Sequence, residues 1–189
     1  MNGIKQGGVQ MPGVEKNEAA EPKLILGVVP CLNTSIVGGA WNKIKDAVAE
    51  ICKQHGDFTE YEVMNAIYHG AAFLYVGFIT DDQEEIAFAI TNESNANALV
   101  MKKIDTNEEG FAGFCLIRLD PKSPHIWMAH VAQKYAGTNT FELGMQVILD
   151  KLKQLGAKYV TFSTMRRGWE RAAAALGFAE QFTVYRKEL

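Results

Sequence analysis

The chain has 189 residues and a formal net charge of −3 at pH 7, which is length enough for one domain with a substantial hydrophobic core. The acidic balance argues against a surface that binds DNA or an anionic membrane, so we expect neither nucleic acid nor membrane as a partner. The sequence has no apolar run of membrane-spanning length and no charged-then-apolar signal pattern at its start. These features predict a cytoplasmic protein.

The cysteines and histidines give no sign of a disulfide or a metal centre. The three cysteines are far apart and set among apolar residues, which predicts reduced, buried thiols. Three of the histidines stand without a carboxylate or cysteine at metal-ligand spacing, so no metal is expected. The residues concerned are Cys31, Cys52, Cys115, His55, His69 and His125.

The N-terminal segment, residues 1–22, is rich in Gly, Glu, Asn and Gln and has few large apolar side chains. We predict an arm without structure of its own, which is either free or docked on a protein partner. Residues 23–189 are expected to form a single domain. Its first element is a β-rich apolar run that starts at Lys23 and stops at Pro30.

Two helices are expected next. After the glycine pair 38–39, which predicts a break, apolar residues recur at helical spacing over residues 41–51, and Gly56 is a suitable end. Thr59 and Glu62 then form a capping box, which predicts the start of a second, short helix.

The middle of the chain changes to a period of two. Residues 73–80 and 85–91 flank an acidic turn at 81–83, which is typical of a hairpin. Residues 98–104 and 111–119 predict a second pair of strands. We therefore expect an antiparallel meander.

A strand, a polar turn and an amphipathic helix follow in direct succession over residues 126–132, 133–140 and 141–155. Asn139 and Glu142 predict a capping box at the helix start. Free backbone N–H groups at such a junction suit an anion such as phosphate, and an ordinary capped helix is the alternative interpretation. The apolar stripe of the helix comprises Phe141, Met145, Ile148, Leu152 and Leu155.

The last part of the chain predicts a strand over residues 158–164, a helix over 168–176 closed by Gly177, and a final strand over 181–187. Because the long helix forms a crossover, we expect the strand over 158–164 to lie parallel to the strand over 126–132.

This order of elements resembles the GCN5-related N-acetyltransferase (GNAT) family over about residues 98–189. The ending, residues 174–178 (Ala-Ala-Leu-Gly-Phe) before the strand at 182–189, is similar to the family's ending. Val131 is similar to the valine that ends its fourth strand, and residues 134–135 (Lys-Tyr) lead into its pyrophosphate loop. The resemblance implies an α+β fold with a mixed, mostly antiparallel sheet flanked by helices.

The resemblance also implies a cofactor loop in which small residues let the backbone reach the pyrophosphate of acetyl-CoA, and here the chain departs from the family. The family's arginine or glutamine position falls on Ala136, and its two small positions fall on Asn139 and Phe141. Gly137 is retained where the family varies. The tyrosine that protonates the departing thiolate corresponds to Ala173.

Our first hypothesis is therefore a degenerate, non-catalytic GNAT-fold protein that serves as a binding or structural component of a protein assembly, with no cofactor. Residues 1–22 would contribute to that assembly. Such proteins are similar to GNAT-like virion or core proteins of short-tailed phages, which would place the protein in a virion.

The alternative hypothesis is a divergent acetyl-CoA-dependent N-acyltransferase, with the cofactor in the gap between the two parallel strands. The general base is then His130 or a carboxylate. His130 is the candidate because imidazole titrates near neutrality, although a packed or solvent-facing strand histidine also explains it. The candidate cofactor-binding residues are Val131, Gly137, Thr138, Asn139 and Thr140.

Overall fold

The computed structural model of the chain describes residues 22–119, 123–163 and 169–180. Five strands form one sheet in the order β1-β2-β3-β4-β5, and helices pack on both of its faces. The elements are β1 (Lys23–Val29), α1 (Thr34–His55), α2 (Glu60–Tyr68), β2 (Ala72–Thr80), α3 (Gln83–Thr91), α4 (Glu93–Asp105), β3 (Phe111–Leu119), β4 (Pro124–Val131), α5 (Thr140–Gln154), β5 (Thr161–Phe162) and α6 (Trp169–Ala175).

Strands β1 to β4 pair antiparallel with their neighbours, whereas β4 and β5 run parallel. The parallel pair is short, with His125 facing Thr161 and Ile126 facing Phe162. α5 forms the crossover that a parallel pair requires. The predicted mixed sheet is thus confirmed for the described residues. The strand expected over 181–187 lies outside them.

Between β2 and β3, two helices stand where the sequence predicted hairpin strands. The carboxylate of Asp82 caps α3 by accepting hydrogen bonds from the N–H groups of Glu84 (2.8 Å) and Glu85 (3.1 Å). The side chain of Asn92 caps α4 by accepting from the N–H of Asn95 at 2.9 Å. These caps satisfy amides that a helix start leaves without partners.

The expected antiparallel meander is therefore wrong in its middle part. Over residues 85–91 the alternation of Ile86, Phe88 and Ile90 is compatible with a strand, but burial follows a step of three. Ile86 and Ala89 are buried, whereas Phe88 and Ile90 are 47% and 74% exposed. The expected strand over residues 98–104 lies in α4, whose buried face comprises Leu99, Val100, Lys103 and Ile104.

α1 begins before the glycine pair 38–39 rather than after it. The side chain of Asn33 accepts a hydrogen bond from the N–H of Ile36 at 3.1 Å and so caps the helix. Gly39 lets α4 approach closely, because a Cβ at this position would lie 2.8 Å from Cγ2 of Ile104. Helix packing thus outweighs the low helix propensity of glycine.

The next two helix boundaries are confirmed. α1 ends before Gly56, which has a φ of 68° and therefore suits glycine. At the start of α2, the hydroxyl of Thr59 accepts from the N–H of Glu62 at 3.2 Å, and the Glu62 carboxylate accepts from the N–H of Thr59 at 2.7 Å. This is the predicted capping box.

α5 buries most of its predicted stripe against the sheet. Met145, Ile148 and Leu152 are buried, but Leu155 lies beyond the last helical residue and is 70% exposed. The predicted cap at Asn139 is also wrong, since its side chain makes no capping hydrogen bond. On this face of the sheet the core comprises Tyr75, Cys115, Ile117, Ile126, Met145, Ile148 and Leu152.

The Leu-Gly-Phe motif closes α6 as predicted. Gly177 has a φ of 78°, and the N–H of Phe178 donates to the carbonyl of Ala173 at 2.9 Å, which is a glycine-based helix end. The ring of Phe178 then meets that of Phe162 edge-on, with centroids 4.9 Å apart. The motif therefore anchors α6 to β5.

Cys31, Cys52 and Cys115 are free thiols, with Cys52 and Cys115 buried and Cys31 half-buried. Burial raises the pKa of Cys115 to about 12. Its thiol should therefore stay protonated and unreactive in the folded protein, because the thiolate is the reactive form.

We expect iodoacetamide at pH 8 to label Cys31 but not Cys115 in the native protein, and to label both after unfolding in urea. Peptide mapping by mass spectrometry measures this directly. Rapid native labelling of Cys115 would show that the sheet around it opens readily.

Candidate functional site

β4 and β5 separate after two paired residues. β4 carries a one-residue bulge, because Leu116 of β3 faces Met128 and Ile117 faces Ile126, which leaves Trp127 without a partner in β3. Pairing with β5 stops at Ile126. A bulge bends a strand, and among the described residues the pairing of β4 with β5 ends at Ile126, next to the bulge.

A cleft of about 500 Å³ opens at this separation. Within the described residues β5 covers Thr161–Phe162, so residues 158–160 of the expected strand over 158–164 are not part of it, and residue 164 lies outside the described part of the chain. One wall of the cleft is β4 from Ile126 to Val131, and the opposite wall is the C-terminal half of α1. Further lining residues are Phe162, Ser163 and Ala172.

The turn between β4 and α5 forms the end of the cleft, where Gln133, Ala136 and Gly137 line it. Gly137 has a φ of 80°, and no atom lies within 4 Å of the position its Cβ would take. Within the described residues, the N–H groups of Gly137 and Glu142 have no hydrogen-bond acceptor. Free amides at a helix start favour an anionic ligand.

The hydroxyl groups of Thr138 and Thr140 form hydrogen bonds within the turn. Thr138 donates to the carbonyl of Tyr135 at 2.7 Å, and its oxygen lies 2.8 Å from that of Thr140. The N–H of Thr140 donates to the Thr138 hydroxyl at 3.3 Å. Three of the five residues that the sequence assigned to cofactor binding lie off the lining of the cleft: Thr138, Asn139 and Thr140.

Two departures from the family pattern fall beside the cleft. Phe141, at the family's second small position, lines the cleft directly after the turn. On α6, Ala172 reaches the lining, and Ala173, at the family's tyrosine position, is half-buried without a hydroxyl. Ala173 therefore has no proton that it could donate to a ligand in the cleft.

His130 is half-buried on β4 and lines the cleft beside Val131. Its ring stacks on Phe114, with centroids 5.7 Å apart and an interplanar angle of 26°. The candidate base predicted from the sequence is thus at the cleft, at the end nearest the turn.

α1 contributes polar side chains to the cleft that were not predicted as site residues. Glu50, Gln54 and His55 line the cleft, and Nε2 of Gln54 donates to Oε1 of Glu50 at 3.0 Å. Glu50 and Gln54 are one helical turn apart and share a face with Ala47 and Ile51. Their common face was predictable from the sequence, because residues three and four positions apart lie on one side of a helix. Nothing in the sequence shows that this face meets β4.

His125 lies at the closed end of the β4–β5 pair and is structural. Its Nδ1 is 2.9 Å from the hydroxyl of Thr161. Burial, together with the positive charge of Arg118, lowers the pKa of His125. In the part of the chain that the structure describes, no group of three or more His, Cys, Asp or Glu side chains could hold a metal ion.

Comparisons with solved structures identify the fold. A ribosomal-protein-alanine N-acetyltransferase from Brucella melitensis biovar Abortus 2308 matches 88% of this chain and 99% of its own, with a TM-score of 0.53 and 9% identity. An aminoglycoside acetyltransferase from an uncultured soil metagenomic sample, solved in complex with sisomicin, matches 88% of this chain and 96% of its own, with a TM-score of 0.53 and 10% identity.

The protein therefore has the GNAT acyltransferase fold, as the resemblance implied. No protein-family model matches the chain, and a search of curated proteins found no match. At about 10% identity the likeness establishes the fold, and the chemistry has to be argued from the cleft. No helix among the described residues has both the length and the apolar composition to cross a bilayer.

Proposed function

We propose that the protein is an acyl-CoA-dependent N-acyltransferase, with the acyl-CoA in the cleft between β4 and β5. The observation that carries the proposal is the cleft beside β4, which begins where the described β4–β5 pairing ends and reaches the free amides of the turn after Val131. The pantetheine arm of CoA carries two amide groups, which can form hydrogen bonds with the backbone of a strand. Its pyrophosphate suits the amides at the start of α5.

Acyl-CoA supplies an activated thioester. The residues of the cleft would bind it and transfer protons to and from the reacting groups. Glu50 is the carboxylate that lines the cleft within the described residues. A carboxylate there favours a positively charged acceptor such as an amine. The two acetyltransferases described above are named for different acceptors, a ribosomal-protein alanine and an aminoglycoside, and they support acetyl transfer as the reaction class.

The binding half of the proposal is tested by isothermal titration with acetyl-CoA. We expect a dissociation constant in the micromolar range and at least a tenfold loss of affinity in Ala136→Glu, because a carboxylate on the cleft lining repels the phosphates. Gln154→Glu is the matched control. It adds the same charge at an exposed position at the far end of α5, off the lining, and should change affinity less than threefold.

The catalytic half is tested by following thiol release from acetyl-CoA with polyamines, aminoglycosides and peptide amines as acceptors. We expect turnover with at least one class of cationic amine. Failure of acetyl-CoA to bind would contradict the whole proposal.

The second candidate is the non-catalytic component of a protein assembly. Phe141 beside the turn and the missing hydroxyl at Ala173 favour it, and so does the composition of residues 1–22. The structural neighbours described above offer no support for a virion role. Binding of acetyl-CoA without turnover by any amine would favour this candidate, and deletion of residues 1–22 should then abolish assembly while leaving the melting temperature nearly unchanged.

A further inference from the structure

We propose that His55, and not His130, is the residue that exchanges protons with the reacting groups. The proposal rests on the proposed function, since it assigns a role within the same cleft. His55 is the last residue of α1, half-buried, and lines the cleft opposite β4. The sequence pattern assigned it no role, because its position beside β4 is a tertiary contact.

Aromatic contacts hold the His55 ring at the level of the β4 bulge. The imidazole stacks on Phe58, with centroids 5.7 Å apart and an interplanar angle of 28°. Phe58 in turn meets Trp127 edge-on, with centroids 5.2 Å apart. Because Trp127 is the bulged residue at which the cleft begins, these contacts fix His55 at that end of the cleft.

The length of the ligand places the thioester at the same end. From phosphate to sulfur, the pantetheine arm has the backbone length of about four extended residues. If the pyrophosphate sits at the turn after Val131, an arm lying along β4 reaches back about 13 Å, at about 3.3 Å per residue. The residue at that level is Trp127, four positions before Val131.

His130 lies at the other end of the cleft. It is the residue directly before Val131, and its ring stacks on Phe114. With the arm along β4, His130 would lie beside the part of the pantetheine arm that adjoins the pyrophosphate. The same geometry that gives His55 access to the thioester therefore keeps His130 away from it.

The proton transfers balance with a single imidazole. Neutral His55 accepts a proton from the acceptor ammonium, and the free amine nitrogen attacks the thioester carbonyl carbon. The carbon–nitrogen bond forms, the carbon–sulfur bond breaks, and the departing thiolate takes one proton, which the imidazolium can donate. The second proton released by the amine leaves to solvent, so the products are the amide and the free thiol. His55 can thus act as the general acid, a role that Ala173 cannot fill because it has no ionisable group.

The decisive variant is His55→Gln, which keeps a polar side chain but cannot accept a proton at neutral pH. We expect a loss of a hundredfold or more in kcat/KM, with acetyl-CoA affinity changed less than threefold. The acidic limb of the pH–rate profile should also disappear. Among the described residues, titratable groups near His55 include Glu50 and His130 on the lining of the cleft and Asp57 in the loop before α2, so Glu50→Gln and His130→Gln are measured in parallel.

A second measurement does not depend on turnover. In NMR spectra of the protein with labelled histidines, the ring signal assigned by its loss in His55→Gln should shift when free CoA is added. Phe58→Leu removes the stacking partner and should reduce kcat more than it changes the KM for acetyl-CoA.

The outcomes separate the two proposals. If acetyl-CoA binds and turns over while His55→Gln keeps the wild-type rate and pH profile, the role of His55 is refuted and the proposed function stands. Turnover lost instead in His130→Gln would return the role to His130. If acetyl-CoA does not bind, both proposals fail.

Discussion

Replacing Lys103 by methionine is expected to lower the free energy of unfolding by about 3–5 kcal/mol. Lys103 is buried in α4, and its ammonium group lies 2.7 Å from a carboxylate oxygen of Glu85 and 2.8 Å from one of Glu108. Thr80 and Thr106 donate further hydrogen bonds to these carboxylates, at 2.8 and 2.9 Å. Methionine keeps the packing volume but leaves two negative charges partly buried without their cation.

This network explains why a lysine is tolerated inside the core. Burial by itself lowers the pKa of Lys103, but its contacts with Glu108 and Glu85 outweigh that effect and raise the pKa overall. The hydrogen bond from Lys103 to Glu108, followed by that from Thr106, lowers the pKa of Glu108. The charged forms are therefore the stable ones in the folded protein.

The pH dependence of stability follows from the lowered pKa of Glu108. Its contribution is fully present above the unfolded-state pKa of about 4.3 and is lost as the pH falls through the lower folded-state value. In Lys103→Met the penalty should shrink as the pH falls, starting at a higher pH than the wild-type loss, because Glu108 no longer has the contact that lowers its pKa and protonation neutralises the unpaired carboxylates.

Urea denaturation of both proteins between pH 3 and pH 7 measures this. Lys102→Met is the matched control, since Lys102 is exposed on the same helix, and it should stay within about 0.5 kcal/mol of the wild type. A neutral result for Lys103→Met at pH 7 would show that the carboxylates reach solvent without the lysine.

Replacing Leu152 by alanine is expected to cost about 2–5 kcal/mol. Leu152 is 3% exposed and packs in the core between α5 and the sheet. Alanine is a strong helix former, so the loss reports the cavity and not a weaker helix. The cavity would lie on the face of α5 that packs against the sheet.

The control for this prediction is Leu155→Ala. Leu155 continues the same apolar spacing in the sequence but is 70% exposed, so its replacement should change the free energy of unfolding by no more than about 0.5 kcal/mol. Equal effects of the two substitutions in chemical denaturation would mean that α5 continues to Leu155 and buries it.

Local chemistry made several parts of the fold predictable. The capping box at Thr59, the helix end at Gly177 and the spacing of Met145, Ile148 and Leu152 are short-range signals that depend little on the rest of the fold. The capping box predicted at Asn139 shows that the tertiary structure can still override such a signal. A helix long enough for a crossover also implied the parallel pairing of β4 with β5. The GNAT fold followed from that order of elements.

The region between β2 and β3 was not predictable in this way. Short apolar segments such as Ile86 to Ile90 satisfy a period of two and a period of three or four equally well. What selects the helix is tertiary, because β3 pairs directly with β2 and α4 packs against β1. A Cβ at Gly27 would lie 2.8 Å from Cβ of Val100, so the glycine makes room for that helix.

The candidate site, like the fold, was predictable from the sequence only in part. The sequence by itself determined that a strand, a turn and a helix would bring Val131 and Gly137 to one junction, because neighbours in the chain are neighbours in space. Only the tertiary structure decided that β4 bulges at Trp127, that β5 pairs over two described residues, and that α1 turns Glu50 and His55 toward the gap. The contacts of α1 with β4 join residues that are about 70 positions or more apart in the chain, and no local pattern of a single sequence encodes which distant surfaces will meet.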